Sequence, residues 1–182
     1  MTEVEQDRAD MRRLQGGDTE ALNPLMERWQ LRLRSYLMRH GLSDADACDL
    51  AQETFVRVFR NAARFDPRRT FSTWMFQIAL NLLRDQIRQR QRRNLQPLEH
   101  APEPTTSRSP ATDSELSAKA AAVRDAIAAL PMSLREPLIL VTYQNLSHAE
   151  AAEVAGISAK AVETRIYRAR EKLRSALAAH LG

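Results

Sequence analysis

The sequence predicts an all-α protein made of two small helical domains joined by a flexible, proline-rich linker, with a helix-turn-helix in the C-terminal domain. The chain has 182 residues, a length that suits one average domain or two small ones. It holds five glycines and is rich in Ala, Leu, Arg and Glu, which favour helices. A polar stretch that holds four of the eight prolines interrupts the helical pattern and divides the chain.

The domains predicted from this division are residues 1–93, a linker at 94–115 and residues 116–182. The first domain carries 17 basic and 13 acidic residues, for a net charge of +4, whereas the linker carries −3 and the last segment +3. Arg supplies 24 of the 27 basic residues, and its planar guanidinium suits phosphates and base edges. The two basic segments therefore indicate a nucleic-acid partner.

The first predicted helix covers residues 18–39. Asp18 is a good N-cap, and Gly41 is a good stop after the last apolar residue. An apolar stripe at helical spacing lies between them, with Pro24 in the early turns as a potential kink.

Two more helices are predicted before the linker. Ser43, with Asp46 three residues later, starts a helix that runs to about Ala63, and its apolar stripe includes Phe55, Val58 and Phe59. The third helix covers about 70–93, and it begins apolar and ends in a run of arginines. These last turns need solvent or an anionic partner.

After the linker, residues 116–130 form an Ala-rich amphipathic helix that ends before Pro131. Ser133 and Glu136 have capping-box spacing, which predicts a helix to about Gln144.

The segment that follows has the pattern of a helix-turn-helix. Ser147 and Glu150 form a second capping box, Gly156 suits the turn, and Ser158 caps a final helix to about residue 179. In that arrangement the first turns of the final helix enter the major groove of DNA. The alternative is an ordinary helical hairpin with a solvated, charged face. If this segment binds DNA, we expect base contacts from Lys160, Glu163, Thr164, Tyr167 and Arg168. We expect phosphate contacts from Arg165, Arg170 and Arg174.

A second group of residues in the N-terminal domain has the composition of a site for single-stranded DNA. Phe65, Phe71 and Trp74 supply rings for base stacking, Asn81 supplies hydrogen bonds, and the arginines after it suit a DNA backbone. The alternative is that the aromatic residues form the core, because an aromatic stripe at helical spacing is commonly buried.

Other classes of function find no support in the sequence. The four histidines are scattered, and the chain has no zinc-protease motif and no glycine-rich phosphate loop. We therefore expect neither an enzyme nor a cofactor or metal site.

Cys48 is expected to be a small buried residue. The charged N-terminus and the short apolar stretches predict a cytoplasmic protein without membrane insertion.

Two long segments of the chain resemble the extracytoplasmic-function sigma factors of the sigma-70 family. The segment DLAQETFVRVFRNAARFDPRRTFSTWMFQIALNLLRDQIRQRQRR is similar to their domain two. The segment ALPMSLREPLILVTYQNLSHAEAAEVAGISAKAVETRIYRAREKL is similar to their domain four, and no domain three intervenes. The resemblance implies two helical domains that each bind core RNA polymerase, at the β′ clamp and the β flap, and one promoter element.

The resemblance also implies roles for single residues. The docking surface for the β′ clamp would contain Asp49, Gln52, Glu53 and Phe55. The loop 65–71 and Asn81 would receive a base flipped out of the −10 element, and Trp74 would lie near the melted strand. Arg84, Arg88 and Arg92 would follow the backbone of this element. Thr164, Tyr167 and Arg168 would read the −35 element. Glu163 stands where many relatives carry Lys or Arg, so it either reads a cytosine amino group or contacts no base.

The resemblance further implies an anti-sigma factor as a partner. A conventional helix-turn-helix repressor or activator remains the competing hypothesis, and it predicts two-fold symmetric binding to duplex DNA without polymerase.

Overall fold

A computed structural model describes residues 1–94 and 115–178, and the described residues contain helices and no strand. The predicted all-α fold is confirmed. Within the described residues, contacts divide the chain into a first unit of 1–34 and 43–94 and a second unit of 35–42 and 115–178. Apart from its two end residues, the predicted linker 94–115 lies outside the described residues, as does the predicted end of the last helix.

The first helix, α1 (Glu3–Gln15), was not predicted from the sequence. It begins with a capping box, in which the Thr2 backbone N–H donates to Glu5 Oε2 at 2.7 Å and the Glu5 N–H donates to Thr2 Oγ1 at 3.3 Å. The inner face of α1 is half acidic, because Asp7 and Asp10 are buried beside Met11 and Leu14. This pattern has no apolar period, which is why hydropathy alone does not reveal the helix.

The buried acids of α1 are paired with the second helix, α2 (Leu22–Arg39). Arg28 Nε lies 2.9 Å from Asp7 Oδ1, and Arg28 Nη2 lies 2.6 Å from Asp10 Oδ2. The Trp29 indole N–H also donates to Asp7. Burial raises the pKa of Asp7 above its ordinary value, although the bonds from Trp29 and Arg28 oppose this shift. These contacts fix α1 to α2.

The start of α2 differs slightly from the prediction. Asp18 caps a short 3₁₀ turn, Thr19–Ala21, and α2 follows it directly. Pro24 lies in the first turn of α2, where a missing N–H removes no helical hydrogen bond. Gly41, with φ of 89°, ends the segment as predicted.

Helices α3 (Asp44–Arg60) and α4 (Phe71–Asn94) complete the first unit. Ser43 caps α3 as predicted, with its hydroxyl accepting the Asp46 N–H at 3.1 Å. The helix ends at Arg60, before the predicted Ala63, because a 3₁₀ turn at Ala62–Arg64 replaces its last turn. The prediction that Cys48 is buried is wrong: this residue is exposed on α3. The core combines apolar residues of all four helices, including Leu25, Leu33, Val58, Met75, Phe76 and Leu83.

Besides residues 35–42, the second unit contains α5 (Glu115–Ala129), α6 (Met132–Gln144), α7 (His148–Ala155) and α8 (Ala159–Leu177). Their apolar sides form the core of this unit. Its fully or nearly fully buried residues include Ile127, Leu138, Ile139, Leu140, Val154, Val162 and Ile166.

The predicted capping box at Ser133 and Glu136 is wrong. Pro131 occupies the N-cap of α6 without a side-chain hydrogen bond, and Glu136 is 3% exposed and belongs to the core. Arg135 instead organises this region, since its guanidinium donates to the carbonyl oxygens of Ala128 and of Leu130, the latter at 2.7 Å. These carbonyls at the end of α5 lack helical partners, so the contact joins two helices of the unit.

None of the described helices is long and apolar enough to cross a bilayer.

Candidate nucleic-acid interface

Helices α7 and α8 form the predicted helix-turn-helix. The capping box of Ser147 and Glu150 is present, and Gly156 adopts the left-handed conformation with φ of 70°. The N–H of Ile157 then donates to the Ala152 carbonyl at 3.0 Å, which closes the turn. Ser158 caps α8 by accepting the Ala161 N–H at 3.1 Å. Each predicted feature of this turn is therefore confirmed.

The inner side of α8 fixes which residues face outward. Val162, Ile166 and Ala169 are buried against the other helices of the second unit. The remaining positions of the first turns form an outer face. Its exposed members are Lys160, Glu163, Thr164, Tyr167 and Arg168, while Arg165 is half-buried beside them.

Two contacts order the outer face of α8. Lys160 Nζ lies 2.8 Å from Glu163 Oε2, and this hydrogen bond lowers the pKa of Glu163. Glu163 is therefore a carboxylate at neutral pH and can accept hydrogen bonds. The Thr164 hydroxyl donates to the Lys160 carbonyl at 2.9 Å, so toward a ligand it can act only as an acceptor.

Further along α8, basic residues continue on the surface. Arg170 and Arg174 are exposed, and Arg174 forms an ion pair with Glu171 one turn earlier. These residues extend the positive potential of the outer face beyond the first two turns of α8.

The predicted aromatic group of the first unit is buried. Phe65, Phe71 and Trp74 are 4%, 2% and 8% exposed. The rings of Phe65 and Trp74 lie 5.1 Å apart, and Phe71 packs against both Trp74 and Trp29. The structure therefore places these rings in the core, the alternative that the sequence left open, and they offer no free face to a base in this conformation. Asn81 is exposed on α4.

Two arginines near the end of α4, Arg88 and Arg92, line a groove. Arg88 and Arg92 are exposed, whereas Arg84 is half-buried. The groove encloses about 550 Å³ between α3 and α4, and Arg57 reaches it from α3. Arg88 Nη1 lies 3.2 Å from Asp85 Oδ1, an exposed pair that competes weakly with an external phosphate.

The segment before α4, which we call the 65–70 loop, is held by its own polar residues. Asp66 accepts the Arg68 N–H at 2.9 Å and also pairs with the Arg68 guanidinium. These contacts lower the pKa of Asp66 below its usual range. Arg69 Nη2 donates to Gln77 Oε1 at 2.9 Å, which ties the end of the loop to α4.

The outer face of α3 differs from the predicted set of residues. Asp49 and Gln52 are exposed, and the half-exposed Glu53 pairs with Arg57 at 2.9 Å. Phe55 is 3% exposed, so it anchors the helix in the core and cannot itself meet a partner here.

Two surface residues of α3 were missed by sequence reasoning. Val56 and Phe59 are 39% and 44% exposed, although the apolar pattern placed Phe59 on the buried stripe. Together with Asp49 and Gln52 they occur at spacings of three, four and three residues, so they continue the same helical face. This spacing is the sequence signal that could have placed Val56 and Phe59 on the same face as Asp49 and Gln52.

The described residues contain no group of three His, Cys, Asp or Glu side chains that could hold a metal ion.

Two family models match successive segments of the chain. Residues 25–93 match the family model "Sigma-70 region 2", and residues 120–173 match "Sigma-70, region 4". The chain is 36% identical to the RNA polymerase sigma factor NccH of Alcaligenes xylosoxydans xylosoxydans, with 97% of each chain covered. It is also 36% identical to the RNA polymerase sigma factor CnrH of Cupriavidus metallidurans, with 88% of each chain covered.

A solved structure shows the same architecture. The structure of CnrH in complex with the cytosolic domain of CnrY matches with a TM-score of 0.75 and 30% identity, covering 96% of this chain and 98% of that chain. The matched regions, the full-length similarity and the shared architecture agree. The chain therefore belongs to the extracytoplasmic-function sigma factors of the sigma-70 family, which direct promoter-specific initiation of transcription.

Proposed function

We propose that this sigma factor binds core RNA polymerase in the cytoplasm, reads the −35 element with α8 and melts the −10 element with α4. The observation that carries the proposal is the outer face of α8, where an ordered set of polar side chains lies on the second helix of a helix-turn-helix. A helix presented in this way fits the major groove, where base edges differ in their hydrogen-bond patterns. The chain would supply recognition only, and the polymerase would supply the chemistry.

The docking surface for the β′ clamp would be the outer face of α3. Asp49 and Glu53 offer carboxylates to a basic partner, and Gln52 lies between them. Val56 and Phe59 add exposed apolar area to the same face, which can be desolvated on binding. Phe55 would contribute indirectly, because its burial fixes the orientation of α3. The second unit would bind the β flap.

The arrangement of α4 supports a role in binding and opening the −10 element. Arg84, Arg88 and Arg92 recur every four residues and so share one side of the helix. Phosphates of the −10 strand would lie along that side. Asn81 is exposed one turn before Arg84 and would contact the displaced base, while Phe65, Phe71 and Trp74 would shape the pocket from within.

An anti-sigma factor is a further proposed partner. The related CnrH is found in complex with the cytosolic domain of CnrY, and a similar protein would bind this chain.

Run-off transcription with core polymerase and a library of genomic fragments would test the function. We expect the chain to direct initiation from a subset of fragments that share two elements at fixed spacing. Core polymerase alone should not select these fragments. If the chain instead bound two-fold symmetric duplex sites without polymerase and gave no transcripts, the proposal would be overturned and the repressor hypothesis would gain support.

A further inference from the structure

Gln15, the last residue of α1, joins this helix to the segment that leads into the 65–70 loop. Its Nε2 donates to the Ala62 carbonyl and to the Phe65 carbonyl, each at 3.0 Å. Both partners are acceptors, so only the amide nitrogen of Gln15 can face them. The two hydrogen bonds use both hydrogens of that nitrogen, so it has no donor left for another partner.

The two carbonyls define how the chain enters the loop. The Phe65 N–H donates to the Ala62 carbonyl at 3.0 Å, which closes the 3₁₀ turn after α3. The buried Phe65 ring then packs 5.1 Å from Trp74. Gln15 therefore fixes the backbone on both sides of this turn, while Arg69 and Gln77 fix the other end of the loop.

Helix α1 is a rigid support for this contact. The pairs of Arg28 with Asp7 and Asp10 are largely buried, so α1 cannot shift along α2 without breaking charge-assisted hydrogen bonds. Residues 3–15 also lie outside the segment 25–93 that matches sigma-70 region 2. The contact therefore comes from a part of the chain to which the family match assigns no role.

We propose that Gln15 is a positioning residue that holds the 65–70 loop in the geometry needed to discriminate the displaced base of the −10 element. This inference rests on the proposed function, since it requires that the loop receives that base. Gln15 itself touches no DNA. It acts through the Ala62 and Phe65 carbonyls. Loss of its side chain should therefore loosen the loop and reduce the difference in affinity between bases.

Four variants separate this role from a general effect on stability. Gln15→Glu keeps the size of the side chain but points a carboxylate at two carbonyls, so it should be the most damaging. Gln15→Asn keeps the amide but is one methylene too short to reach both carbonyls. Gln15→Lys keeps N–H donors at this position and should preserve the contact with the two carbonyls. Gln6→Glu makes the same change at another half-buried position of α1, nine residues before Gln15.

The measurement is binding of the reconstituted holoenzyme to single-stranded oligonucleotides that carry each of the four bases at each −10 position. The readout is the affinity ratio between the preferred and the least preferred base at the most discriminating position. This ratio does not change when only the fraction of active protein falls. We expect it to drop about tenfold in Gln15→Glu and less in Gln15→Asn. Gln15→Lys and Gln6→Glu should keep the ratio of the wild-type protein.

The outcomes are distinguishable. If the wild-type holoenzyme shows no base preference, the proposed −10 function fails and the inference fails with it. If the wild-type holoenzyme discriminates and Gln15→Glu discriminates equally well, the inference alone is overturned. An equal loss in Gln6→Glu would also overturn it, because the effect would then belong to α1 in general. The Gln15→Asn variant keeps the test open if Gln15→Glu fails to fold.

Discussion

Asp46 in the first turn of α3 forms an ion pair with Arg90 near the end of α4, with 2.9 Å between Oδ2 and Nη2. The pair turns Arg90 toward α3. Arg88 and Arg92 flank it in sequence but line the groove between the helices. The arginine-rich end of α4 thus contains at least two kinds of arginine, one held by the fold and others available to a ligand.

This difference predicts distinct salt dependences. Arg88→Ala or Arg92→Ala should weaken holoenzyme binding to all promoters alike and lower the slope of log K against log salt by about 0.9 per lost phosphate contact. Arg90→Ala is the matched control and should leave the slope unchanged. The measurement is promoter affinity over a series of salt concentrations. Equal slopes for all three variants and the wild-type protein would remove Arg88 and Arg92 from the DNA surface.

The same ion pair predicts a pH-dependent contribution to stability. Hydrogen bonds from the Ser43 hydroxyl and then from Arg90 lower the pKa of Asp46 below its ordinary value. A group whose pKa is lower in the folded state stabilises the protein above its unfolded pKa and loses that contribution as the pH falls through the folded pKa. Asp46→Asn should therefore cost about 0.5 kcal/mol at pH 7, a small value because both side chains are partly exposed.

Denaturant unfolding at pH 7 and at a pH below the folded pKa of Asp46 would check this expectation. The difference between Asp46→Asn and the wild-type protein should vanish at the lower pH. Asp49→Asn, on the exposed face of the same helix, is the control. A difference that stayed constant with pH would contradict the role assigned to the carboxylate.

The outer face of α3 predicts a loss of polymerase binding without a loss of fold. The double change of Asp49 and Glu53 to Lys reverses two surface charges and should abolish binding to core polymerase, with the circular dichroism spectrum and the melting temperature nearly unchanged. Phe59→Ala removes exposed apolar area and should weaken the same binding. Phe55→Ala should instead destabilise the first unit by about 3 to 5 kcal/mol, because it empties a buried site. If the double variant bound core polymerase as well as the wild-type protein does, this face of α3 would not be the docking surface.

Glu163 should determine the preferred base at one position of the −35 element. Its carboxylate can accept a hydrogen bond from the amino group of cytosine, so Glu163→Gln should reduce the preference for cytosine there by at least about fivefold. Arg170→Ala, at an exposed position of the same helix that is expected to contact a phosphate, is the control and should weaken binding without changing that preference. Selection of −35 sequences by holoenzyme would measure both effects. Identical preferences in Glu163→Gln and the wild-type protein would show that Glu163 contacts no base.

The turn of the helix-turn-helix predicts a backbone effect. A Cβ on Gly156 would meet nothing within 4 Å, so the cost of Gly156→Ala is only that of placing alanine at φ of 70°. We expect a loss of about 1 kcal/mol in the stability of the second unit. Gly156→Asn should cost less, because asparagine adopts this conformation more readily, as Asn145 does at φ of 56°. Thermal unfolding would rank the variants, and equal losses would contradict the backbone explanation.

The sequence predicted the helices of the helix-turn-helix because each signal there is local. Ser147, Gly156 and Ser158 determine capping and turn geometry through their own backbone neighbours. Helix α1 was missed because its burial depends on Arg28 and Trp29, which lie about twenty residues away and pair with its acids. A hydropathy pattern does not record such a pairing.

The candidate site was predicted less completely, for a related reason. Helical spacing shows which residues share a face but not whether that face meets the core or a partner. The resemblance grouped Phe55 with Asp49 and Gln52, although the ring is buried, and helical spacing placed Phe59 in the core, although the ring is exposed. The contact of Gln15 with Ala62 and Phe65 joins residues about fifty positions apart and has no local signal.

Cys48 is exposed on α3 and is the single cysteine of the sequence. The wild-type protein therefore has one thiol that a maleimide dye can label without any engineered substitution. The label would sit one residue from Asp49, at the edge of the proposed polymerase surface. Its fluorescence anisotropy would rise on assembly with core polymerase, so the docking step could be followed in real time and apart from any event on DNA.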